Sequence, residues 1–299
     1  MNFNKILVPV DFGECSDKAV QYALKLAERL EAEITLLNVD EFFQWLLPEE
    51  NYQPGELEDA LKTRQQLLQQ QLQPYLEMGK ECNLKIGCAI MRGDSVAEKI
   101  LEHLREEKYD LVVMGTHGRT GLKHLFLGSI AEKVVRFSPT PVLTLHKSVE
   151  CCRMEHILVA IDFSDYSRQA LEYAAAFARL AGSRITVLHV IERIIYPAFY
   201  PEGYYPVADF EPKLREQVLE NLDTFCADYG DIDIKTAVAA GRASDEICHF
   251  TMENGVDLVI MATRGLSGLQ HLIVGSTAER VVRRSSTPVL TVRREVVSE

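Results

Sequence analysis

The chain has 299 residues, 47% of them apolar and 25% charged, the balance of a soluble globular protein with room for two domains. Its formal net charge of −12 opposes phosphate backbones and anionic lipid at long range, which argues against nucleic acid and membrane partners but leaves room for a local anion site. The seven cysteines are odd in number and lack Cys-x-x-Cys spacing, which argues against a disulfide framework or a zinc site; Cys151 and Cys152, with His156 nearby, read as reduced thiols at a domain junction.

Met1 to Lys5 leads into a strand-like run without a basic, then apolar, leader, and no later stretch approaches the roughly 20 apolar residues a bilayer requires, so a cytoplasmic protein is expected. Ile6 to Val10 is an apolar run of strand length ending at Asp11. Ala19, Tyr22, Ala23, Leu26, Ala27 and Leu30 then recur at helical spacing, and Ile34 to Val39 is a second strand rich in β-branched residues. Glu41 to Gly55 is an excursion carrying Phe42, Phe43, Trp45 and Tyr52, followed by a Gln-rich amphipathic helix from about Leu57 to Met78. Lys85 to Met91 reads as a strand, Ser95 to Glu107 as a helix, Leu111 to Met114 as a strand, Ile130 to Phe137 as a helix and Val142 to Leu145 as a strand.

The chain then repeats itself. Ile6-Leu7-Val8-Pro9-Val10-Asp11-Phe12 returns as Ile157-Leu158-Val159-Ala160-Ile161-Asp162-Phe163, and Thr140-Pro141-Val142-Leu143-Thr144 returns as Thr287-Pro288-Val289-Leu290-Thr291. A repeat of about 150 residues is domain-sized, so each copy should close its own core, and the expected domains are 1–148 and 152–299. The second copy places strands at Ile185 to Val190, Ile234 to Ala239, Leu258 to Met261 and Val289 to Val292, with helices at Asp245 to Glu253 and Thr277 to Arg284. Its excursion, Ile191 to Pro212, carries Tyr196, Phe199, Tyr200, Tyr204, Tyr205 and Phe210. Both excursions read as lids, partner surfaces or plain loops folded onto the adjoining helix. Alternation of this kind predicts an α/β open parallel sheet with flanking helices in each copy, its ligands outside the carboxyl ends of the strands.

One stretch carries chemistry. Met114-Gly115-Thr116-His117-Gly118-Arg119-Thr120-Gly121 directly follows a buried strand, and Gly128-Ser129-Ile130-Ala131-Glu132 opens a helix. Glycines admit a phosphate close to the backbone, and the amides of a helix start attract negative charge, so an anion site is favoured over a bare turn. Ser129 reads either as a phosphate donor or, with Glu132, as a capping box. Asp11 and Asp162, at the ends of the first strands, read as acceptors for a ribose hydroxyl, as neighbours of a metal, or as helix caps, a role also open to Ser16 and Ser167.

The chain resembles a tandem universal stress protein. Gly115, Gly118, Gly128 and Ser129 match the family's Gly-x2-Gly-x9-Gly-(Ser/Thr) pattern, and Ile-Leu-Val-Pro-Val-Asp-Phe is its usual opening. The resemblance implies two tandem five-stranded parallel sheets of order 3-2-1-4-5, an adenine nucleotide alpha hydrolase-like fold, and binding of ATP, or AMP or ADP, with or without Mg2+, by a stress-response or signalling module. It places Asp11 near the ribose or adenine, Val39 at the adenine edge, and Met114, Gly115, Gly118, Arg119, Gly128, Ser129 and Ile130 around ribose and phosphates. The second-copy positions are Asp162, Val190, Met261, Ala262, Gly265, Leu266, Gly275, Ser276 and Thr277. Ala262 replaces the first glycine, and its Cβ is expected to cost about 1–2 kcal/mol if left-handed backbone is needed there, or to obstruct the ligand if close approach is needed.

The resemblance also implies that the repeats pair as a pseudo-dimer within one chain through their last strands, with a homodimer open as an alternative. No catalytic residue and no metal ligand set is expected. His117, His124 and His271 have no carboxylate orienter in the sequence. The competing functions are a slow ATPase or nucleotidyl-transfer enzyme and an interaction protein that binds no nucleotide.

Overall fold

The computed structural model describes residues 3–41, 56–116, 127–146, 149, 152–192, 211–263 and 275–293. The chain divides into two compact units, with the boundary between Cys152 and Arg153. The two aromatic excursions, apart from their flanking residues, lie outside the described residues, as do His117, His124 and His271.

In the first unit β1 (Lys5–Pro9), α1 (Glu14–Leu30), β2 (Glu33–Asp40), α2 (Glu56–Glu81), β3 (Ile86–Arg92), α3 (Val96–Glu106), β4 (Leu111–Gly115), α4 (Ser129–Phe137) and β5 (Val142–Leu145) follow in order. β1 pairs with β2 and β4, β2 with β3, and β4 with β5, all parallel, which gives the order 3-2-1-4-5. The second unit repeats the plan with β6 (His156–Ile161), α5 (Asp165–Ala181), β7 (Arg184–Glu192), α6 (Glu211–Cys226), β8 (Ile234–Gly241), α7 (Ala243–Asn254), β9 (Leu258–Ala262), α8 (Ser276–Arg284) and β10 (Val289–Val292). β6 pairs with β7 and β9, β7 with β8, and β9 with β10, again all parallel and in the same relative order. The second excursion ends slightly sooner than its composition suggested: α6 starts at Glu211, with Pro212 in a first turn where its missing N–H costs no hydrogen bond.

The central strands are apolar because helices cover them. Ile6, Leu7 and Val8 of β1 and Val112 and Val113 of β4 are fully buried. On one face Leu7, Leu37, Val112, Met114 and Val142 pack against Ala97, Ile100, Leu101 and Leu104 of α3 and Ala131, Val134 and Val135 of α4. Burial of such side chains contributes about 1.5–3 kcal/mol each.

A repeated carboxylate aligns the strand starts. Asp110 Oδ2 accepts from the amides of Asn4 at 2.7 Å and Lys5 at 2.9 Å, and Asp257 Oδ2 accepts from those of Glu155 and His156, both at 3.0 Å. Before each last strand Ser138 and Ser285 close the turn, donating to the carbonyls of Thr140 at 2.6 Å and Thr287 at 2.9 Å.

Gly115 ends β4, and left-handed backbone is not what requires a glycine there. It is not among the positive-φ glycines. A Cβ built there falls 2.7 Å from Cys15 Cβ and 3.0 Å from the Cys15 carbonyl carbon and oxygen, so the glycine lets the start of α1 lie against the strand end. Gly115→Ala is therefore expected to lower the stability of the first unit by about 1–3 kcal/mol, the usual cost of overpacking against backbone. Urea unfolding followed by hydrogen exchange in β4 checks this; an unchanged midpoint overturns it.

His156 gives the second unit a pH dependence. It is 5% exposed, with Nδ1 3.1 Å from the Asn254 carbonyl and Nε2 2.8 Å from Thr186 Oγ1. The neutral ring satisfies both contacts if Nδ1–H donates to Asn254 and the Thr186 hydroxyl donates to Nε2, a tautomer that leaves no lone pair on Nδ1 for Arg184 Nη2 at 3.2 Å. Burial, opposed by the Asn254 carbonyl and reinforced by Arg184, lowers its pKa below the ordinary 6.5. The unfolded chain then binds more protons than the folded one below the unfolded pKa. The stabilisation is complete above that value and is lost as pH falls through the folded pKa. The urea midpoint of the second unit should fall between about pH 8 and about pH 5.5, and His156→Gln should flatten that change.

Candidate functional site

β1 and β4 are neighbours whose following helices lead away in opposite directions along the sheet, and ligand crevices form at such a reversal. In the first unit a cavity of about 500 Å³ opens there. It brings together Asp11, Val39, Met114, Gly115, Gly128, Ser129 and Ile130 from the sequence-predicted set. Gly118 and Arg119 lie outside the described residues.

The rim of the glycine loop is pinned at both ends. The Gly128 amide donates to the Thr116 carbonyl at 2.8 Å, and the Thr116 hydroxyl donates to the Leu145 carbonyl at 3.2 Å. The first of these bonds brings the end of β4 and the start of α4 together, and the second ties the end of β4 to β5. Gly128 is the N-cap of α4, so the N-cap residue brings no side chain to the helix start. Ser129 is thus the first helical residue, not a cap, and the capping-box reading of Ser129 and Glu132 fails. The amides of the first turn and the exposed Ser129 face the cavity rim, an arrangement suited to an anion.

The opposite end of the cavity is partly apolar. Leu37, Val39, Val96, Ile100, Met114 and Ile130 line it as an extension of the α3 and α4 core. β2 also contributes polar groups that composition and periodicity missed. Asn38, 5% exposed, donates from Nδ2 to the Val10 carbonyl at 2.8 Å. Its Oδ1 is buried without a hydrogen-bond partner among the described residues. Asp40, 4% exposed, accepts on Oδ1 from Arg64 Nε at 3.1 Å, with Arg64 Nη2 at 3.0 Å from the same oxygen. The only sequence signal for this pair was an aspartate at the end of an apolar strand.

Asp11 accepts on Oδ1 from the Gly13 amide at 3.0 Å, while Ser16 is turned towards the Gly13 backbone, donating to its carbonyl at 2.9 Å. Gly13, not Ser16, is the N-cap of α1. Phe12 between them has φ 61, and Phe163 in the second unit has φ 65. A left-handed phenylalanine costs about 1–2 kcal/mol and persists only when its surroundings hold it. Phe12 stacks on Tyr75 with ring centroids 6.5 Å apart, and Tyr75 hydrogen-bonds Asp17. Phe163 meets Phe225 edge-on at 5.9 Å. In both units the aromatic anchor comes from the helix after the excursion, so that helix helps to shape the turn beside the aspartate.

In the second unit Asp162 follows β6, Val190 lies in β7, Met261 and Ala262 end β9, Gly275 is the N-cap of α8, and Ser276 and Thr277 begin its first turn. Gly265 and Leu266 lie outside the described residues. The rim bonds recur: the Gly275 amide donates to the Thr263 carbonyl at 2.7 Å and the Thr263 hydroxyl to the Val292 carbonyl at 3.3 Å. The second strand of the unit, β7, differs from β2, with His189 where Asn38 stands and Ile191 where Asp40 stands. His189 Nδ1 lies 3.0 Å from the Ile161 carbonyl, the counterpart of the Asn38 contact.

Comparison with known proteins agrees with this architecture. The model of the universal stress protein family matches residues 2–146 and again 154–293. A universal stress protein of Synechocystis is 25% identical over 304 residues, covering 96% of this chain and 99% of that one. A universal stress protein E homolog of Haemophilus influenzae is 25% identical over 316 residues, covering 98% of each. The crystal structure of a universal stress protein from Archaeoglobus fulgidus superposes with a TM-score of 0.67 at 24% identity, covering 98% of this chain and 97% of that one, which supports the fold. With two matched domains, two units of one strand order and full-length tandem relatives, the chain belongs to the universal stress protein family.

Proposed function

We propose that the first repeat binds an adenine nucleotide, ATP or its AMP and ADP forms, and that the chain acts as a stress-response or signalling module of two domains, 1–148 and 152–299. The cavity carries this reading. Its volume of about 500 Å³ falls within the range of small-molecule sites. Its chemistry suits both ends of a nucleotide. Val39, Ile100 and Met114 offer an apolar slot for a base, Asn38 Oδ1 is a buried acceptor with no donor among the described residues, and Asp11 stands where a ribose hydroxyl or an exocyclic amine can donate. The first turn of α4 supplies amides and the Ser129 hydroxyl for phosphate oxygens.

A bound nucleotide would bias the turn at Asp11 and, through Phe12 and Tyr75, the placement of α2. That route gives occupancy a means of reaching a partner surface without any chemical step. Among the described lining residues no histidine, cysteine or lysine stands ready as a base or nucleophile.

Because the protein is acidic overall, phosphate attraction must come from short-range donors. A hydrogen bond to a charged group contributes about 1.5–3 kcal/mol, against about 8 kcal/mol for a micromolar site. Ser129→Ala should therefore weaken ATP binding several-fold in calorimetry, with and without Mg2+, while leaving the unfolding midpoint in place. Phosphate release measured alongside separates a module from an enzyme: His117→Ala should change any slow hydrolysis less than about tenfold. Robust turnover abolished by His117→Ala with binding intact would mark the protein as an enzyme, and absence of nucleotide uptake would mark it as an interaction protein.

A further inference from the structure

Asn38 and His189 hold matching places in β2 and β7 and share one duty. Asn38 Nδ2 donates to the Val10 carbonyl at 2.8 Å, and His189 Nδ1 lies 3.0 Å from the matching carbonyl of Ile161. A carbonyl oxygen only accepts, so the Asn38 amide is held with Nδ2 towards Val10; turned over, it would set Oδ1 against another oxygen. Oδ1 is thereby fixed as an acceptor. Asn38 is 5% exposed, and this oxygen has no hydrogen-bond partner among the described residues. A buried acceptor without a donor costs free energy, which a ligand that brings a donor recovers. In the second unit the matching side chain is engaged differently, with the His189 ring against Phe163, centroids 4.8 Å apart.

Successive residues of a strand face opposite ways, so Val39 joins the α3 and α4 core while Asn38 shares its face with Asp40, which meets Arg64 of α2. The cavity is lined from both sides of β2, by Val39 and Ile100 and by Asn38, Arg64 and Leu68. A flat ring system over the strand end can therefore rest its body on the apolar side and turn an edge to Asn38. We propose that Asn38 is a specificity-determining residue that reads position 6 of a purine: its Oδ1 accepts from the exocyclic amine of adenine and opposes the carbonyl of guanine or hypoxanthine. This rests on the nucleotide reading of the site and deepens it, because an apolar slot and helix amides serve any purine nucleotide alike. A ligand carbonyl would need a donor where Oδ1 stands, and turning the amide over to supply one would break the bond to Val10.

Calorimetry on the full-length chain with ATP, purine riboside triphosphate and ITP tests it, since these carry an amine, a hydrogen and a carbonyl at position 6. The parent should bind ATP about tenfold or more tighter than purine riboside triphosphate, which corresponds to about 1.4 kcal/mol, and should bind ITP more weakly still. Asn38→Leu should bring the preference for ATP below about threefold, chiefly by weakening ATP. Because leucine also strips the Val10 carbonyl of its donor, Asn38→His is measured beside it. Histidine can keep that bond, as His189 does, but carries its other nitrogen one bond further from the backbone, so the preference should again be lost. Thermal unfolding is read in parallel. A merely structural residue lowers affinity for all three nucleotides alike and keeps their ratios, and that outcome overturns the inference. Affinities for ATP and purine riboside triphosphate within about twofold in the parent, or a preference for ATP that survives both substitutions, also overturn it while leaving the nucleotide reading intact. If the parent takes up none of the three, both fall together.

Discussion

Parallel pairing of β1 with β4, and of β6 with β9, is the constraint on which the rest depends. Ile6 opposite Leu111 and Leu7 opposite Val112 bring the ends of two strands distant in sequence to one edge of the sheet. Because the strands within a unit all point the same way, the loops of that unit that can carry function collect at that edge. The chain turns in opposite directions from β1 and from β4, so a crevice opens between their connections. Asp11, the end of β4 and the start of α4 meet there because of strand order, not because of any attraction between them.

Around this scaffold the repeats share the contacts that satisfy the frame and differ at several positions beside the carboxyl edge. The strand-start carboxylates Asp110 and Asp257, the serine turns at Ser138 and Ser285, and the threonine clasps at Thr116 and Thr263 are shared. They satisfy backbone groups, a requirement of any copy of the fold. Asn38 against His189, Asp40 against Ile191, and Gly13 against Ser164 all lie at the carboxyl edge. The frame is held constant while the mouth of each crevice varies, as expected when stability and recognition are carried by different residues.

The electrostatics fit a site built from local dipoles. A net charge of −12 offers no long-range attraction to phosphate, and the described wall of the cavity carries Asp11, Asp40 and Glu41 against Arg64. The Arg64 partner offsets the buried charge of Asp40, which would be costly alone. An anion in the proposed site would meet, at the other end, the first turn of α4, whose amides act over a short distance and need no basic surface.

Much of this was legible in the sequence. Apolar runs of strand length, helical spacing of Ala19, Tyr22, Ala23 and Leu26, and the internal repeat determined an α/β fold made twice, because periodicity follows directly from which faces are buried. The glycine pattern from Gly115 to Gly128 marked the end of β4 and the start of α4, both of which line the cavity. Only tertiary structure decided the rest. That Gly115 answers to Cys15 of α1, that Asn38 has a buried oxygen without a partner among the described residues, that Asp40 meets Arg64, and that Ser164 grips Asp162 are facts about side chains converging from different elements or around a turn. A linear pattern reports which face a residue takes. It carries no record of what stands opposite, and the chemistry of this site is decided by those opposing groups.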